Sequence, residues 1–326
     1  MALIRIPGTE LSVSPICLGC ANLGVKNTES EAFELLDAYV AAGGNFLDTA
    51  RVYSNWVPGE LNRSERIIRD WLESRKNRDR IVLATKGAHP ILGSIDSRLS
   101  KDHIDADLYG SLETLRVDTI DLYYLHRDEP SRPVAEIIDV LVGHRDAGAI
   151  RAFACSNWQP DRIAAANAYA KANGVTGFVA NQMRWSLAGM SAPAPEDKTM
   201  CAMDTSTYKL HIDSGLPAGE APLAAIPYGS QGGGYFSKLA ADAEAASKSG
   251  FHNDTNVVLL PLLQEAAADL DTSVAAVALA WLIAQPFPTI PIIGSRTIPQ
   301  LEDSLKAADI ALQDRYLARI NDAVGF

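Results

Sequence analysis

Residues 17–24 read CLGCANLG. They end a short apolar run, PICLG at 15–19, and lead toward a segment of helical spacing. An open, doubly wound α/β sheet carries its phosphate loop at this place. The loop needs the spacing GxGxxG, so that the backbone can approach a pyrophosphate and the following helix can pack on the strand. Glycine stands here only at Gly19 and Gly24, and the spacing is absent. The main rival architecture is therefore disfavoured, and a closed barrel becomes the expectation.

Working outward from that segment, eight short apolar or β-branched runs alternate with longer stretches of helical periodicity: PICLG, NFLD, RIVLATK, TIDLYYLH, IRAFACS, GFVANQ, LAAIPY and TIPIIG. They are nearly continuous in apolar residues, as parallel strands covered on both faces must be. Helix punctuation fills the gaps. Thr28 and Glu31 form a capping-box pattern, and Asn62 with Glu65 repeats it. Gly43-Gly44 ends the first helix where a left-handed residue is needed. Ser100 precedes Ile104, Leu108, Leu112 and Leu115 at helical spacing, and Pro160 opens another helix. Strand followed by helix about eight times predicts an α/β chain folded as a (β/α)8 TIM barrel, one domain over residues 1–326. RIPGTELSV at 5–13 reads as a β-hairpin turning at Pro7-Gly8 and closing the bottom of the barrel. The least regular stretches are 186–197 and 215–222, rich in Pro, Gly and Ala.

Composition narrows the function classes. The 326 residues are 47% hydrophobic and 21% charged, ample for a large core, and the formal charge is −11. A net acidic surface does not release phosphate counterions, so nucleic acid is not an expected partner. Of four cysteines only Cys17 and Cys20 are spaced like metal ligands, and no second pair completes a set. No metal is expected, and the cysteines read as small residues of a reducing compartment. The N-terminus lacks an apolar signal-peptide core, and the longest apolar run, 274–284, is too short to span a bilayer. A cytoplasmic location away from membranes is the expectation.

A barrel of this kind presents its site at the C-terminal ends of its strands. The polar residues found there are Asp48, Lys86, His126, Ser156 with Asn157, and Gln182, and Tyr53 follows Asp48 by five positions. Each alone has an ordinary structural explanation. Together they bring an acid, an ammonium, an imidazole and a phenol to one mouth. The motifs NFLDTARVY, LATK, DLYYLH, SNW and NQ, with IIGSRTIPQLEDS near the end, resemble the successive strand-end motifs of the aldo-keto reductase superfamily over essentially the whole chain.

That resemblance implies a catalytic tetrad of Asp48, Tyr53, Lys86 and His126, reducing an aldehyde or ketone to an alcohol with NADPH. The chemistry suits those residue types. Hydride delivery builds negative charge on the carbonyl oxygen, and an ordinary tyrosine, with a pKa of about 10, is a weak donor unless a neighbouring ammonium lowers it. Asp48 would hold Lys86 charged, and His126 would donate to the carbonyl oxygen or share the proton. The resemblance further implies that Ser156, Asn157 and Gln182 contact the nicotinamide carboxamide while Tyr228 stacks on its ring. The glycine-rich stretch with Gly229, Ser230, Gln231 and Gly234 would lie over the pyrophosphate. Ser295, Arg296 and Gln300 would meet the adenosine 2′-phosphate, with Asp303 and Ser304 nearer the adenine and Gly294 also among the cofactor-binding residues. Gly229-Ser230-Gln231 departs from the commoner Ser-Pro-Leu of the family, and Gln300 from the commoner Arg or Lys.

For the substrate, Asn22, Trp56, His89, Arg127, Trp158 and Trp185 sit on strand-following loops, and aromatic walls with few polar groups suit a keto sugar or another cyclic ketone. The expected partner is thus a small carbonyl compound, and a monomer is compatible with the sequence. Two competing readings keep the barrel: a cofactor-binding auxiliary subunit that regulates a partner, and an aldolase or isomerase in which Lys86 forms a Schiff base.

Overall fold

The computed structural model describes residues 1–191, 197, 199–214 and 222–325. Two strands, β1 (Ile4–Arg5) and β2 (Ser12–Val13), pair antiparallel as the expected hairpin. Eight more follow: β3 (Cys17–Gly19), β4 (Phe46–Asp48), β5 (Val82–Gly87), β6 (Ile120–Leu125), β7 (Ile150–Ser156), β8 (Ala180–Gln182), β9 (Ala224–Ala225) and β10 (Ile292–Ile293). They form one parallel sheet in the order β10-β3-β4-β5-β6-β7-β8-β9. The two ends of that order are joined by backbone bonds from Ile290 to Ala225 (2.8 Å) and from Ile292 to Pro227 (2.9 Å), which close the barrel. Each strand matches one of the eight runs read from sequence.

Strand parity then decides which side chains face inward. Phe46, Ala84, Leu122, Tyr124, Ala152, Ala154 and Ala180 share one buried cluster with Ile6, Leu11 and Val13, so the hairpin plugs the N-terminal end of the barrel. Leu18, Leu47 and Leu83 point the other way, into helices that carry Leu36, Ile68 and Trp71. Inward parity at Phe46, Ala84, Leu122, Ala154 and Ala180 carries on to Asp48, Lys86, His126, Ser156 and Gln182. The strand-end residues therefore converge on the opposite end from the hairpin.

The helix starts follow their sequence cues with one exception. Thr28 and Glu31 form the capping box, Ser100 caps its helix on the His103 N–H, and Pro160 is the first residue of its helix. Gly43 adopts φ +90°, as a left-handed stop requires. Asn62 is the exception: it is itself left-handed at φ 51° and makes no capping bond. Its amide instead pairs with Arg51, and the Glu65 carboxylate turns inward to accept from Thr85 Oγ1 at 2.7 Å. Burial raises the Glu65 pKa, opposed by its hydrogen bonds and by Arg51.

The apolar run beginning at Val274 is a buried helix, Val274–Ile283, of the core. No single helix among the described residues is long and apolar enough to cross a membrane. Of the irregular stretches, 186–191, 197 and 222 are described and the remainder lies outside the described residues.

Candidate active site

The chain does not leave the barrel directly after Asp48. Thr49 and Arg51 continue pairing with β5, through N–H bonds to Ala84 O and Lys86 O, both 2.9 Å. A turn closed by Tyr53 N to Ala50 O (3.0 Å) then folds the loop back, with Ser54 left-handed at φ 73°. Arg51 fixes this loop from outside, bonding Gly110 O at 2.9 Å and Thr114 Oγ1 at 2.6 Å. The five-residue spacing thus returns the Tyr53 hydroxyl to Lys86, the next strand's inward residue.

Lys86 is wholly buried and donates to three oxygens: Asp48 Oδ2 at 2.6 Å, Thr49 O at 2.8 Å and Tyr53 Oη at 3.0 Å. Gln182 Nε2 donates to the other Asp48 oxygen at 2.9 Å. Burial alone would lower the Lys86 pKa, but Asp48 and Tyr53 together outweigh it, and the ammonium sits above its ordinary value. The Tyr53 phenol is also raised. Burial is the largest cause, and the pull of Lys86 in the other direction does not prevail. The expectation that Lys86 brings this tyrosine below its ordinary pKa is therefore corrected, because both groups lie in a desolvated cleft where forming a phenolate is costly. His126 completes the group, edge-on to Tyr53 with ring centroids 5.8 Å apart. Its pKa is held well below 6.5, first by burial and then by Lys86, Arg127 and His89, so the ring is neutral at pH 7. Its Nδ1 is buried without a partner among the described residues.

From these residues a cleft of about 670 Å³ runs past Tyr228 to the helix Ile298–Leu305. All the sequence-predicted cofactor residues line it: Ser156, Asn157, Gln182, Tyr228, the segment from Gly229 to Gln231, Gly234, the segment from Gly294 to Arg296, Gln300, Asp303 and Ser304. Several are engaged with one another. Asn157, left-handed at φ 61°, accepts from Tyr228 Oη at 2.8 Å and from Cys201 N at 3.0 Å. Gln231 spans the cleft to Ser304 Oγ at 2.9 Å, and Asp303 accepts from Ser273 at 2.7 Å and pairs with Lys306 at 3.3 Å. The Ser295 hydroxyl is buried with no partner among the described residues. Arg296 is exposed and has no carboxylate partner among the described residues. Gly229, Gly232, Gly233 and Gly234 all have positive φ, and a Cβ on Gly232 would come within 2.8 Å of Ala188. Such a loop presents backbone rather than side chains to a bound phosphate.

The expected substrate residues divide. Asn22 and Arg127 line the cleft. Trp56, 47% exposed, stands edge-on to Tyr53 at 6.2 Å, and His89 lies edge-on to His126 at 4.7 Å. Trp158 and Trp185 do not reach the cleft, and their placement as substrate walls is corrected. Trp158 is buried against Phe178 and Arg162 and donates to Arg127 O at 3.1 Å. Trp185 packs among Trp281 and Phe287 in the core. Sequence reasoning also missed Met200, Ser237 and Lys238, which line the cleft. Lys238 was visible only as the end of GSQGGGYFSK, and it is the short helix Tyr235–Ala241 that turns it back to the cleft.

Three consecutive residues after His126 brace the mouth. Arg127 bonds Asp197 and Thr199, each at 2.8 Å; Asp128 takes both arms of Arg162 at 3.0 Å; Glu129 accepts from Leu99 N at 3.0 Å. Arg127 and Thr199 in turn lower the Asp197 pKa to about 2 against the opposing effect of burial, its largest single influence. Burial raises the thiol pKa of Cys17, Cys20 and Cys155, leaving them unreactive.

The family model described as "Aldo/keto reductase family" matches residues 15–324. Among curated proteins, the "uncharacterized oxidoreductase YrpG" of Bacillus subtilis is 31% identical over 324 residues, covering 96% of this chain and 93% of the relative. Norsolorinic acid reductase stcV of Emericella nidulans is 31% identical, covering 98% and 80% respectively. An NADP(+) aryl-alcohol dehydrogenase of Phanerodontia chrysosporium is 30% identical, covering 98% and 85%.

Proposed function

The chain belongs to the aldo/keto reductase family, and from that membership we propose that it is an NADPH-dependent reductase of aldehydes or ketones, with Tyr53 as proton donor. The observation that carries the proposal is the buried Lys86 ammonium, held by Asp48 and directed at the Tyr53 oxygen. When bound, the nicotinamide cofactor supplies the hydride. Ser156, Asn157 and Tyr228 would hold its nicotinamide end, the glycine loop and Lys238 its pyrophosphate, and Ser295, Arg296 and Gln300 its 2′-phosphate. The donor set fits such a group: a buried hydroxyl at Ser295 and an exposed guanidinium at Arg296, neither with a side-chain partner among the described residues, and a backbone-lined loop between them and the catalytic end. Asp303 would normally repel a phosphate, but Ser273 and Lys306 already engage it.

The roles of the chain's own groups follow from their bonds. Tyr53 accepts from Lys86, so its own proton is free to point into the cleft toward a carbonyl oxygen. As the proton leaves, Lys86 stabilises the developing phenolate, and this interaction grows only in the transition state. Asp48 keeps Lys86 charged and fixed, while Gln182 keeps Asp48 in place. His126, neutral, offers an N–H to the same carbonyl oxygen and adds no competing charge.

A Schiff-base role for Lys86 would require a neutral amine, whereas this amine is triply hydrogen-bonded and stabilised as the cation. An auxiliary role without turnover would not call for the assembled tetrad. Loss of NADPH absorbance against a panel of aryl aldehydes, cyclic ketones and keto sugars tests the proposal. Turnover of at least one class by the parent and not by Tyr53→Phe is expected. NADPH binding without turnover of any class would favour the auxiliary subunit.

A further inference from the structure

Glycine is among the poorest residues in the interior of a helix, yet Gly110 stands inside the helix Lys101–Leu115. The guanidinium of Arg51 occupies the space that a side chain would take there. A Cβ built on Gly110 would lie 2.6 Å from Arg51 Nη2 and 2.8 Å from its Cζ. From that seat Arg51 Nη1 donates to Gly110 O at 2.9 Å and to Thr114 Oγ1 at 2.6 Å, and the buried Glu65 carboxylate lies 3.6 Å away. The helix is intrinsically weakened at one position, and what it holds there is an arginine two residues before Tyr53.

The loop that carries Tyr53 depends on this attachment. Successive turns close it, with Tyr53 N on Ala50 O at 3.0 Å, Asn55 N on Val52 O at 3.1 Å and Val57 N on Ser54 O at 3.0 Å. Asn62 seals the loop on itself, its N–H on Asn55 Oδ1 at 2.7 Å and its side-chain amide on Arg51. Among the described residues, few hydrogen bonds tie positions 50–62 to anything beyond residue 66. They are Arg51 N to Lys86 O at 2.9 Å, the two guanidinium bonds, and Lys86 Nζ to Tyr53 Oη at 3.0 Å. Without the guanidinium, one backbone bond and the Lys86 bond itself are left to hold the reacting hydroxyl. Such a bond weakens steeply as its length and angle drift, and a displacement of about 1 Å at reacting atoms costs a factor of about 100.

Resting on the carbonyl-reductase reading above, we infer that Arg51 is a positioning residue for proton transfer. Seated on Gly110, it holds the Tyr53 hydroxyl against the Lys86 ammonium. The helix Lys101–Leu115 is thereby a working part of the site, although none of its residues lines the cleft.

The test measures kcat, KM, NADPH affinity and thermal melts in Arg51→Ala, in Gly110→Ala, in the double variant and in a control, Arg116→Gln. Arg116 ends the same helix and bonds Glu73 at 3.0 Å, away from the loop. Arg51→Ala should lower kcat by about 30-fold while KM and NADPH affinity stay within about threefold of the parent, and added ethylguanidinium should restore part of the loss. Gly110→Ala brings in a better helix former, so the melting temperature should not fall, yet its methyl displaces the guanidinium and kcat should drop about tenfold. With Arg51 already replaced, the same substitution should change kcat by less than about twofold, because the group it displaces is gone. Arg116→Gln should leave kcat alone. The ζ-13C resonance of Tyr53, identified as the one missing from Tyr53→Phe, reports the Lys86 contact without turnover and should shift in Arg51→Ala and in Gly110→Ala. A folded Arg51→Ala protein whose kcat stays within about threefold of the parent, or whose Tyr53 resonance does not move, overturns the inference. So does a loss carried by KM or by NADPH affinity, or a Gly110→Ala effect that is as large with Arg51 absent. If Arg51→Ala does not fold, Gly110→Ala decides by the same two readouts. A parent that binds NADPH but reduces no carbonyl, with the Tyr53 resonance still shifted in the variants, refutes the reductase reading and leaves the positioning in place.

Discussion

Replacing Tyr53 by Phe removes one oxygen whose contacts are fully specified, so its effects on stability and on catalysis can be separated. The hydroxyl accepts one bond, from Lys86 at 3.0 Å, and Lys86 keeps Asp48 at 2.6 Å and Thr49 O at 2.8 Å. A hydrogen bond to a charged group contributes about 1.5–3 kcal/mol, and part of that loss is returned because a buried hydroxyl need no longer be desolvated. Folding stability should therefore fall by no more than about 2 kcal/mol. NADPH affinity should be nearly unchanged. Turnover, in contrast, loses its proton donor, typically a factor of about 10²–10⁴, or roughly 3–5 kcal/mol of barrier. The assay is steady-state NADPH oxidation with the best carbonyl substrate at saturating cofactor, beside fluorescence titration and urea unfolding of both proteins. Because burial raises the Tyr53 pKa and lowers that of His126, the parent's kcat should stay flat from about pH 6.5 to 9, both groups keeping their required protonation. A variant that binds NADPH normally and retains kcat within about threefold of the parent would remove Tyr53 from proton transfer. A decline in parent kcat centred near pH 7 would contradict the protonation states.

Arg296→Ala should weaken NADPH more than NADH by about 1–3 kcal/mol, the range for a lost charge-assisted bond, and titrations showing equal loss would refute the 2′-phosphate assignment. His211 is buried, its pKa depressed to about 4 chiefly by burial. Since the folded value lies below the unfolded one of about 6.5, the stability it confers is present above pH 6.5 and is lost as pH falls toward 4. Between pH 7 and 5 that loss is about 2 kcal/mol, and His211→Phe should remove most of it in urea melts at the two pH values. Gly87→Ala would place a methyl 1.9 Å from the Tyr123 hydroxyl and 2.8 Å from Asp107 Cβ; destabilisation of about 2–3 kcal/mol is expected by chemical denaturation, and a change under 0.5 kcal/mol would mean that the β5–helix packing is softer than described.

What could be read from sequence was local or periodic. The strands were visible because both faces of each are buried, and parity alone carries Asp48, Lys86, His126, Ser156 and Gln182 inward from their apolar neighbours. The caps at Thr28 and Ser100 are local bonds within one helical turn. The pattern at Asn62 and Glu65 had the right residues, but two partners distant in sequence, Arg51 and Thr85, compete for them. Trp158 and Trp185 could not be oriented because what claims them is a packing partner elsewhere, Phe178 in one case and Trp281 with Phe287 in the other. Met200 reaches the cleft on a segment held by Arg127 and Asn157, and no pattern within residues 199–203 announces that. The Tyr53 pKa failed for another reason: the charge pair was identified, but the depth of its burial was not, and depth is the larger influence.

The brace formed by Arg127, Asp128 and Glu129 has a consequence for motion and for engineering. The loop after β5, the helix after β7 and the segment after β8 are each tethered to a different one of three adjacent residues. None of them can swing away without breaking a bond to a span that the other two also hold. Amide hydrogen exchange should therefore find Leu99 N–H, held by Glu129, and Thr199 N–H, held by the Asp197 carboxylate that Arg127 binds, opening together with a common protection factor. A loop transplanted here from a relative must bring the acceptor or donor that its site in the brace demands, or it will release its neighbours as well.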